Sequence, residues 1–198
     1  ISQDEEFTSA VFYLVFFFGV LLSFLQFYVN DNHRRYSEFL SDTMKVMGRV
    51  SDVAIFAKTT LPIEKARRIT RYMNASHVAA YTGMSVTYTK NNFFDPLVSK
   101  HALLTSDELH RVSVEMNVEK DGLKPTHELI AWAMATVREC LKDEKLLDSS
   151  EAWQLQDLMI QHRFTIEKMF VTRTVPVPFY YVHFLCFLSF FVTEAPMW

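Results

Sequence analysis

The chain has 198 residues, enough for one or two domains. Its formal net charge of −3 argues against nucleic acid as a partner, because domains that bind nucleic acid carry a marked basic excess. Its two cysteines are too few for a disulfide framework or a zinc cluster. The 18 phenylalanines lie mostly towards the two ends, so apolar ends flank a charged middle.

Residues 1–6 are acidic, and an uncharged apolar run over residues 7–29 follows them. The run contains no proline and a single glycine. About 20 apolar residues, each rising roughly 1.5 Å along a helix, cross the hydrocarbon core of a bilayer. We therefore predict a transmembrane helix over residues 7–29. The alternative is a buried helix of a soluble protein, which is usually shorter and polar on one face.

The middle of the chain, residues 34–173, is charged and has a helical pattern. Between Tyr36 and Lys58 the apolar residues recur at spacings of three and four, which predicts an amphipathic helix. Thr105 and Glu108 form the sequence pattern of a capping box. Further helices are predicted over Ile63–Met84, from Thr105 to about Glu119, over Pro125–Leu147 and from Asp148 to about Arg173, with a break at Lys90–Pro96. Strand patterns do not stand out, so the prediction is a helical cytosolic or stromal bundle.

A second apolar run covers residues 175–193, and a short tail, residues 194–198, follows it. The run is long enough for a second transmembrane helix. Basic residues border both runs on the side of the charged middle, with Arg34 after the first run and Arg173 before the second. Because Lys and Arg gather at the cytoplasmic ends of spans, we predict that both termini lie outside or in a lumen. The predicted fold class is therefore an all-α integral membrane protein with two transmembrane helices and an intervening helical bundle.

Motifs of catalysis and of metal binding are missing from the sequence. The seven histidines do not pair with cysteines or carboxylates at metal-ligand spacing, and the phosphate-loop, dinucleotide and nucleophile-elbow patterns do not occur. We therefore expect no metal, no cofactor and no enzymatic activity.

One face of the first predicted helix carries Phe12, Phe16, Val20 and Ser23 at helical spacing. Lipid contact or helix packing would explain this face, and a hydrophobic constriction that gates a pore by dewetting is the other interpretation. Aromatic edges carry partial positive charge, which suits a weakly hydrated anion. His183 lies inside the second apolar run, where an ionisable residue is a functional candidate; the alternative is a neutral histidine that bonds a neighbour near the interface.

Four motifs, in order along the chain, resemble the bestrophin family, in particular its algal and protist members. Phe16–Val20 resembles the pore-helix motif of the family, and Pro176–Leu185 resembles the start of a later span. Ala66–Tyr72 resembles the RRxxRY pattern that opens a cytosolic helix, and Leu103–Glu108 resembles the GxMTxxE segment downstream. Together the four motifs extend over most of residues 10–190, and they occur in the order and at the spacing found in the family.

The resemblance implies a homo-pentamer with a central pore lined by one helix per subunit, which conducts chloride and other small anions through the lipid bilayer. Phe12, Phe16 and Val20 would form the pore neck, although many members have Phe at the position of Val20. Ser23 and His183 are further polar candidates for the pore. Helix N-termini and aromatic edges could attract anions in place of Lys and Arg. The resemblance to algal members favours a plastid thylakoid membrane.

The sequence also departs from the family. The family has four membrane-crossing helices, and the first and last have no counterpart here, so we expect a truncated homologue. The acidic calcium-binding cluster that follows the last helix is missing, so calcium gating is not carried over. Tyr28, Val29 and Asn30 replace the Arg-Trp-Trp of the family after the pore helix. The alternative function is therefore a non-conducting structural subunit of a larger organellar complex, photosynthetic or respiratory, bound to unlike membrane subunits.

Overall fold

The computed structural model describes residues 3–84, 87–118, 120, 122–142, 146–174, 183 and 186. Within these ranges the chain is helical and contains no strand, which confirms the predicted helical class. Six α-helices occur in this order: α1 (Gln3–Thr60), α2 (Ile63–Met84), α3 (Asp95–Lys100), α4 (Ser106–His110), α5 (Leu123–Lys142) and α6 (Ser149–Thr174). Two π-helical turns, Lys90–Phe94 and Arg111–Glu115, directly precede α3 and directly follow α4.

Helix α1 is 58 residues long and runs without interruption through the polar stretch that follows the first apolar run. Side-chain bonds one turn apart support that stretch: the Asn32 amide donates to the Tyr28 carbonyl at 2.9 Å, and Asp31 accepts bonds from two arginines. The helix ends just before Leu61 and Pro62, because a proline disfavours helical backbone in the residue that precedes it. The sequence predicted the two halves of α1 as separate elements.

Helix α1 is the one helix of the described residues that is long and apolar enough to cross a membrane. Its most apolar window is only 6% buried within the chain, unlike the core helix of a soluble protein. The second predicted span, residues 175–193, lies outside the described residues except for His183 and Cys186. The chain divides into two units, residues 1–38 with 174–198 and residues 39–173, and the predicted boundaries at residues 7–29, 34–173 and 175–193 stay predictions.

The unit of residues 39–173 has an apolar core built from the second half of α1 and from α2, α5 and α6. Fully buried side chains include Val53 of α1, Ile69 of α2, Leu129 of α5 and Leu155 of α6. Burying one such side chain contributes about 1.5–3 kcal/mol of hydrophobic stabilisation. The apolar spacing in α1 predicted a helix but not which apolar residues enter the core: Val50 and Val53 are buried, whereas Leu40, Met44 and Met47 of the same pattern are at least half exposed.

The predicted capping box is confirmed at the start of α4. The Glu108 backbone N–H donates to Thr105 Oγ1 at 3.3 Å, and the Thr105 N–H donates to Glu108 Oε2 at 2.8 Å. The helical stretch that follows ends at Glu115 rather than near Glu119, because Asn117 adopts a left-handed conformation with φ of 53°.

Helix α5 begins two residues earlier and ends five residues earlier than the predicted Pro125–Leu147. The Leu146 N–H donates to the Cys140 carbonyl at 2.8 Å across the end of the helix. This bond satisfies a terminal carbonyl that the helix itself leaves unpaired.

Candidate functional site

The candidate site is the neck face of α1, which we define as Phe12, Phe16, Val20 and Ser23. At 3.6 residues per turn these four positions fall within an arc of about 80°. Phe12 is 67% exposed and Phe16 is 58% exposed. These rings therefore lie outside the core of the chain. Exposure alone does not single out this face, since Phe17 and Phe18 on other faces are also exposed.

Polar side chains distinguish the neck face from the rest of the apolar segment. Tyrosines aside, Ser23 and Gln26 are the polar residues between Val11 and Val29; Ser23 lies within the arc of the neck face and Gln26 lies about 40° outside it. The Ser23 hydroxyl donates to the Gly19 carbonyl at 2.9 Å, which lowers the cost of placing it in an apolar segment.

A groove of about 610 Å³ continues from Ser23 along the same helix. Its lining among the described residues is Ser23, Gln26, Phe27, Asn30, Asp31 and Arg34. Phe27 is the one apolar residue of this described lining, so the groove is mainly polar from Ser23 onward and charged towards Arg34.

Three charged residues form a compact cluster at the polar end of this groove. Arg34 Nη2 donates to Asp31 Oδ1 at 2.9 Å, and Arg35 Nε donates to Asp31 Oδ2 at 3.0 Å. The hydrogen bond from Arg34 holds the pKa of the Asp31 carboxyl below its ordinary value, and Asp31 in turn raises the pKa of Arg34. Asp31 and Arg34 are therefore charged at neutral pH, and together with the Arg35 guanidinium they carry one net positive charge.

His183 is the other sequence-predicted site residue, and it is exposed and helical. Its neighbours in the second predicted span lie outside the described residues. Its contribution to a pore therefore stays a prediction, and the structure does not bring it together with Ser23 through any described contact.

The two middle motifs of the sequence meet in space, which their spacing along the chain did not indicate. The Tyr72 hydroxyl donates to Glu108 Oε1 at 2.6 Å, and Arg71 Nη2 donates to Glu108 Oε2 at 3.2 Å. Arg71 Nε also donates to the Leu103 carbonyl at 2.9 Å. Arg71 and Tyr72 of the RRxxRY pattern on α2 therefore bind the capping box of α4.

These contacts shift the pKa values of both partners. Burial, with a further contribution from the Glu108 carboxylate, raises the pKa of Tyr72 to about 12. Burial alone would raise the pKa of Glu108, but hydrogen bonds from Tyr72 and Thr105 outweigh it and lower that pKa. The pair therefore stays a neutral phenol and a charged carboxylate over the physiological range, as suits a structural contact.

Sequence reasoning also missed a buried histidine. His162 of α6 is fully buried, and its Nε2 lies 3.2 Å from Ser76 Oγ of α2. The Ser76 hydroxyl also lies 2.8 Å from the Met73 carbonyl, to which it donates. Burial in the core lowers the pKa of His162 to about 4, and this histidine is therefore neutral at physiological pH. Across the described parts of the chain, no group of three or more His, Cys, Asp or Glu side chains is arranged to hold a metal ion.

The sequence matches the family described as bestrophin, RFP-TM, chloride channel, over residues 2–195. A crystal structure of a membrane protein has a similar fold, with a TM-score of 0.75 and 17% sequence identity. That similarity covers 92% of this chain and 63% of the other chain, so this chain spans less than two thirds of that protein. The sequence has no match among curated proteins. Because the family match extends over nearly the whole sequence, the chain belongs to the bestrophin family.

Proposed function

We propose that the chain is a subunit of an anion channel that conducts chloride passively through a pore lined by α1. The observation that carries this proposal is the match to a family described as chloride channels, over residues 2–195. Phe12, Phe16 and Val20 would form the neck, and Ser23 would lie at its polar end. An apolar neck can gate by dewetting, and ring edges with partial positive charge favour anions over cations.

A pore requires several copies, because one α1 helix encloses no space. The unit of residues 39–173 carries two exposed apolar stripes that are suited to such contacts. On α1 the first stripe consists of Leu40, Met44, Met47 and Ile55, each at least half exposed. On α6 the second stripe consists of Trp153, Phe164 and Val171, exposed by 65%, 55% and 59%.

Two different apolar stripes on one subunit fit a ring better than a two-fold dimer. In a cyclic assembly each subunit offers one surface to the next subunit and a different surface to the previous one. Exposed apolar stripes are also typical of surfaces that are covered in an assembly. We propose that the α1 and α6 stripes contribute to contacts between copies in a homo-pentamer.

The proposed location is a membrane, with residues 34–173 on the cytosolic or stromal side and the N-terminus on the other side. Arg34 and Arg35 at the end of the apolar segment support this orientation. A thylakoid location stays a prediction from the resemblance.

A non-conducting structural subunit is the second candidate function. The observation that favours it is the replacement of the Arg-Trp-Trp of the family by Tyr28, Val29 and Asn30, since a changed segment next to the neck can remove conduction without removing the fold. In that case the exposed stripes on α1 and α6 would bind unlike membrane subunits.

Planar-bilayer recording of the purified chain separates the two candidates. With a tenfold chloride gradient across the bilayer, the channel proposal predicts a current whose reversal potential lies close to that of chloride. A correctly assembled protein that carries no current would contradict conduction and favour the structural subunit.

A further inference from the structure

The neck face of α1 continues past the apolar segment and ends on a cation. Counting 100° per residue, Phe27, Asn30 and Arg34 fall within the same arc of about 80° that contains Phe12 and Phe16. Phe27 is 73% exposed, and the Arg34 side chain is 68% exposed. Arg34 lies roughly 21 Å along the helix from Val20. The face that would line the neck therefore leads directly to the Arg34 guanidinium.

The neighbouring arginine does not share this position. Arg35 lies about 100° around the helix from Arg34, and its side chain is only 26% exposed. Both arginines bond the same carboxylate, that of Asp31, at 2.9 and 3.0 Å. The two residues therefore have the same charge and the same partner, and differ in the face on which they lie.

Two carboxylates hold the Arg34 side chain in place, and in sum Asp31 and Glu38 balance the charges of Arg34 and Arg35. The order of these groups along the helix therefore decides which charge an ion meets first. Asp31 is shared between two guanidinium groups, so these three residues keep one positive charge. Glu38 lies one turn farther from the neck, with its Oε1 at 3.8 Å from Arg34 Nη1 and its side chain 48% exposed. An ion that leaves the neck along this groove would therefore meet Asp31 with its two guanidinium groups, which together carry one net positive charge, before the Glu38 carboxylate.

We propose that Arg34 is a selectivity residue of the pore: one Arg34 from each copy forms a cationic ring about 21 Å beyond the neck on its inner side, which attracts small monovalent anions and repels cations. This inference rests on the proposed channel function. Rings of Arg or Lys side chains select for anions in pores, and a cleft lined by one sign of charge raises the local concentration of the opposite ion. The apolar neck restricts the passage, and the Arg34 ring supplies the charge that the neck lacks.

The test compares wild type, Arg34→Gln and the matched control Arg35→Gln in planar bilayers under a tenfold KCl gradient. We expect Arg34→Gln to lower the chloride-to-potassium permeability ratio by roughly tenfold at low salt, with a smaller loss at 1 M salt because screening shortens the range of the field. Arg35→Gln should change the ratio much less. An unchanged ratio in Arg34→Gln, or an equal loss in both variants, would overturn the proposal.

A second variant introduces the charge after assembly, so that folding does not decide the result. Arg34→Cys, in a chain whose exposed Cys186 is replaced by Ser, is treated with a positively or a negatively charged thiosulfonate reagent; Cys140 is buried and protected. The positive reagent should restore the preference for anions and the negative reagent should reduce it further, and equal effects of the two reagents would overturn the proposal.

If wild type itself carries no anion current, the channel function fails and this inference fails with it. If wild type conducts anions and Arg34→Gln has the same permeability ratio, the selectivity role of Arg34 is refuted and the channel function stands.

Discussion

Gly83 of α2 and Gly122, which directly precedes α5, lie backbone against backbone. A Cβ placed on Gly83 would lie 2.3 Å from the Gly122 Cα atom, and a Cβ on Gly122 would lie 2.4 Å from the Gly83 Cα atom. Neither glycine has a positive φ, so these positions require glycine for the close approach of two backbones rather than for an unusual conformation. This contact fixes the C-terminal end of α2 against the start of α5.

Gly83→Ala should therefore destabilise the helical unit. The added methyl group has no room and must push two backbones apart, which we expect to lower the free energy of unfolding by about 1–3 kcal/mol. Denaturant titration of the detergent-solubilised chain, followed by tryptophan fluorescence, measures this change. Gly48→Ala is the matched control, since nothing lies within 4 Å of the position in α1, and it should raise stability by about 0.5–1 kcal/mol. Equal effects of the two substitutions would contradict the backbone contact.

Glu108→Ala should loosen α4 from α2. The substitution removes the acceptor of the Tyr72, Arg71 and Thr105 bonds and leaves the Tyr72 hydroxyl without its partner, so the free energy of unfolding should fall by about 1–3 kcal/mol. Asp107→Ala is the control, because Asp107 is exposed in the same helical turn and lacks these contacts. The same denaturant titration compares the two variants, and a loss in Asp107→Ala as large as that in Glu108→Ala would refute the role of Glu108.

Acidification should destabilise the bundle through two histidines, the fully buried His162 and the half-buried His77. Burial lowers the pKa of both His77 and His162 to about 4 in the folded chain, whereas an unfolded histidine titrates near 6.5. Because the folded pKa is the lower one, the stabilisation is fully present above about pH 6.5 and is lost as pH falls towards 4. Asp42 and Glu108 have pKa values below their ordinary values of 3.8 and 4.5, so the stabilisation that these carboxylates contribute is lost only below about pH 4.5.

The free energy of unfolding, measured by denaturant titration at a series of pH values between 7 and 4.5, tests this expectation. His162→Gln should remove roughly half of the fall in the free energy of unfolding between pH 7 and 4.5, because one of two similar histidines no longer takes up a proton. Replacing the exposed His101 by Gln should leave the profile unchanged. A His162→Gln profile as steep as that of wild type would show that His162 does not contribute to the pH dependence.

Phe16→Ala should widen the proposed neck and raise the anion current. The substitution removes an exposed ring from the neck face, so the constriction becomes larger and easier to wet. Phe18→Ala is the matched control, since Phe18 is also exposed but lies about 160° around the helix from Phe16. Single-channel conductance in planar bilayers measures both variants. An unchanged conductance in Phe16→Ala, or an equal increase in Phe18→Ala, would remove Phe16 from the neck.

The local features of this fold were predictable from the sequence. The apolar spacing predicted α2 with its observed ends, and the Thr105 and Glu108 pattern predicted the start of α4. The continuity of α1 was not predicted, because the polar residues 30–35 resemble a connection until their bonds one turn apart are seen. The neck face was predicted from the helical spacing of its residues. Continuing the same count of about 100° per residue beyond Ser23 places Arg34 on that face.

The contacts between distant segments were not predictable. Tyr72 and Glu108 are 36 residues apart, and Ser76 and His162 are 86 residues apart. Nothing in the spacing of a single sequence specifies which polar residues meet in a core, since that depends on how the helices pack. The Gly83 and Gly122 contact has the same origin: each glycine alone suggests a turn or a helix end, and only the packed structure shows that each is required by the other.

The number of copies in the native assembly tests the central claim most directly, since a pore lined by α1 exists only where several copies close a ring. Native mass spectrometry of the detergent-extracted complex gives this number. We predict five copies of this chain and no unlike subunit. A single copy bound to unlike membrane subunits would contradict the channel, and the neck face would then be a packing surface in a structural subunit.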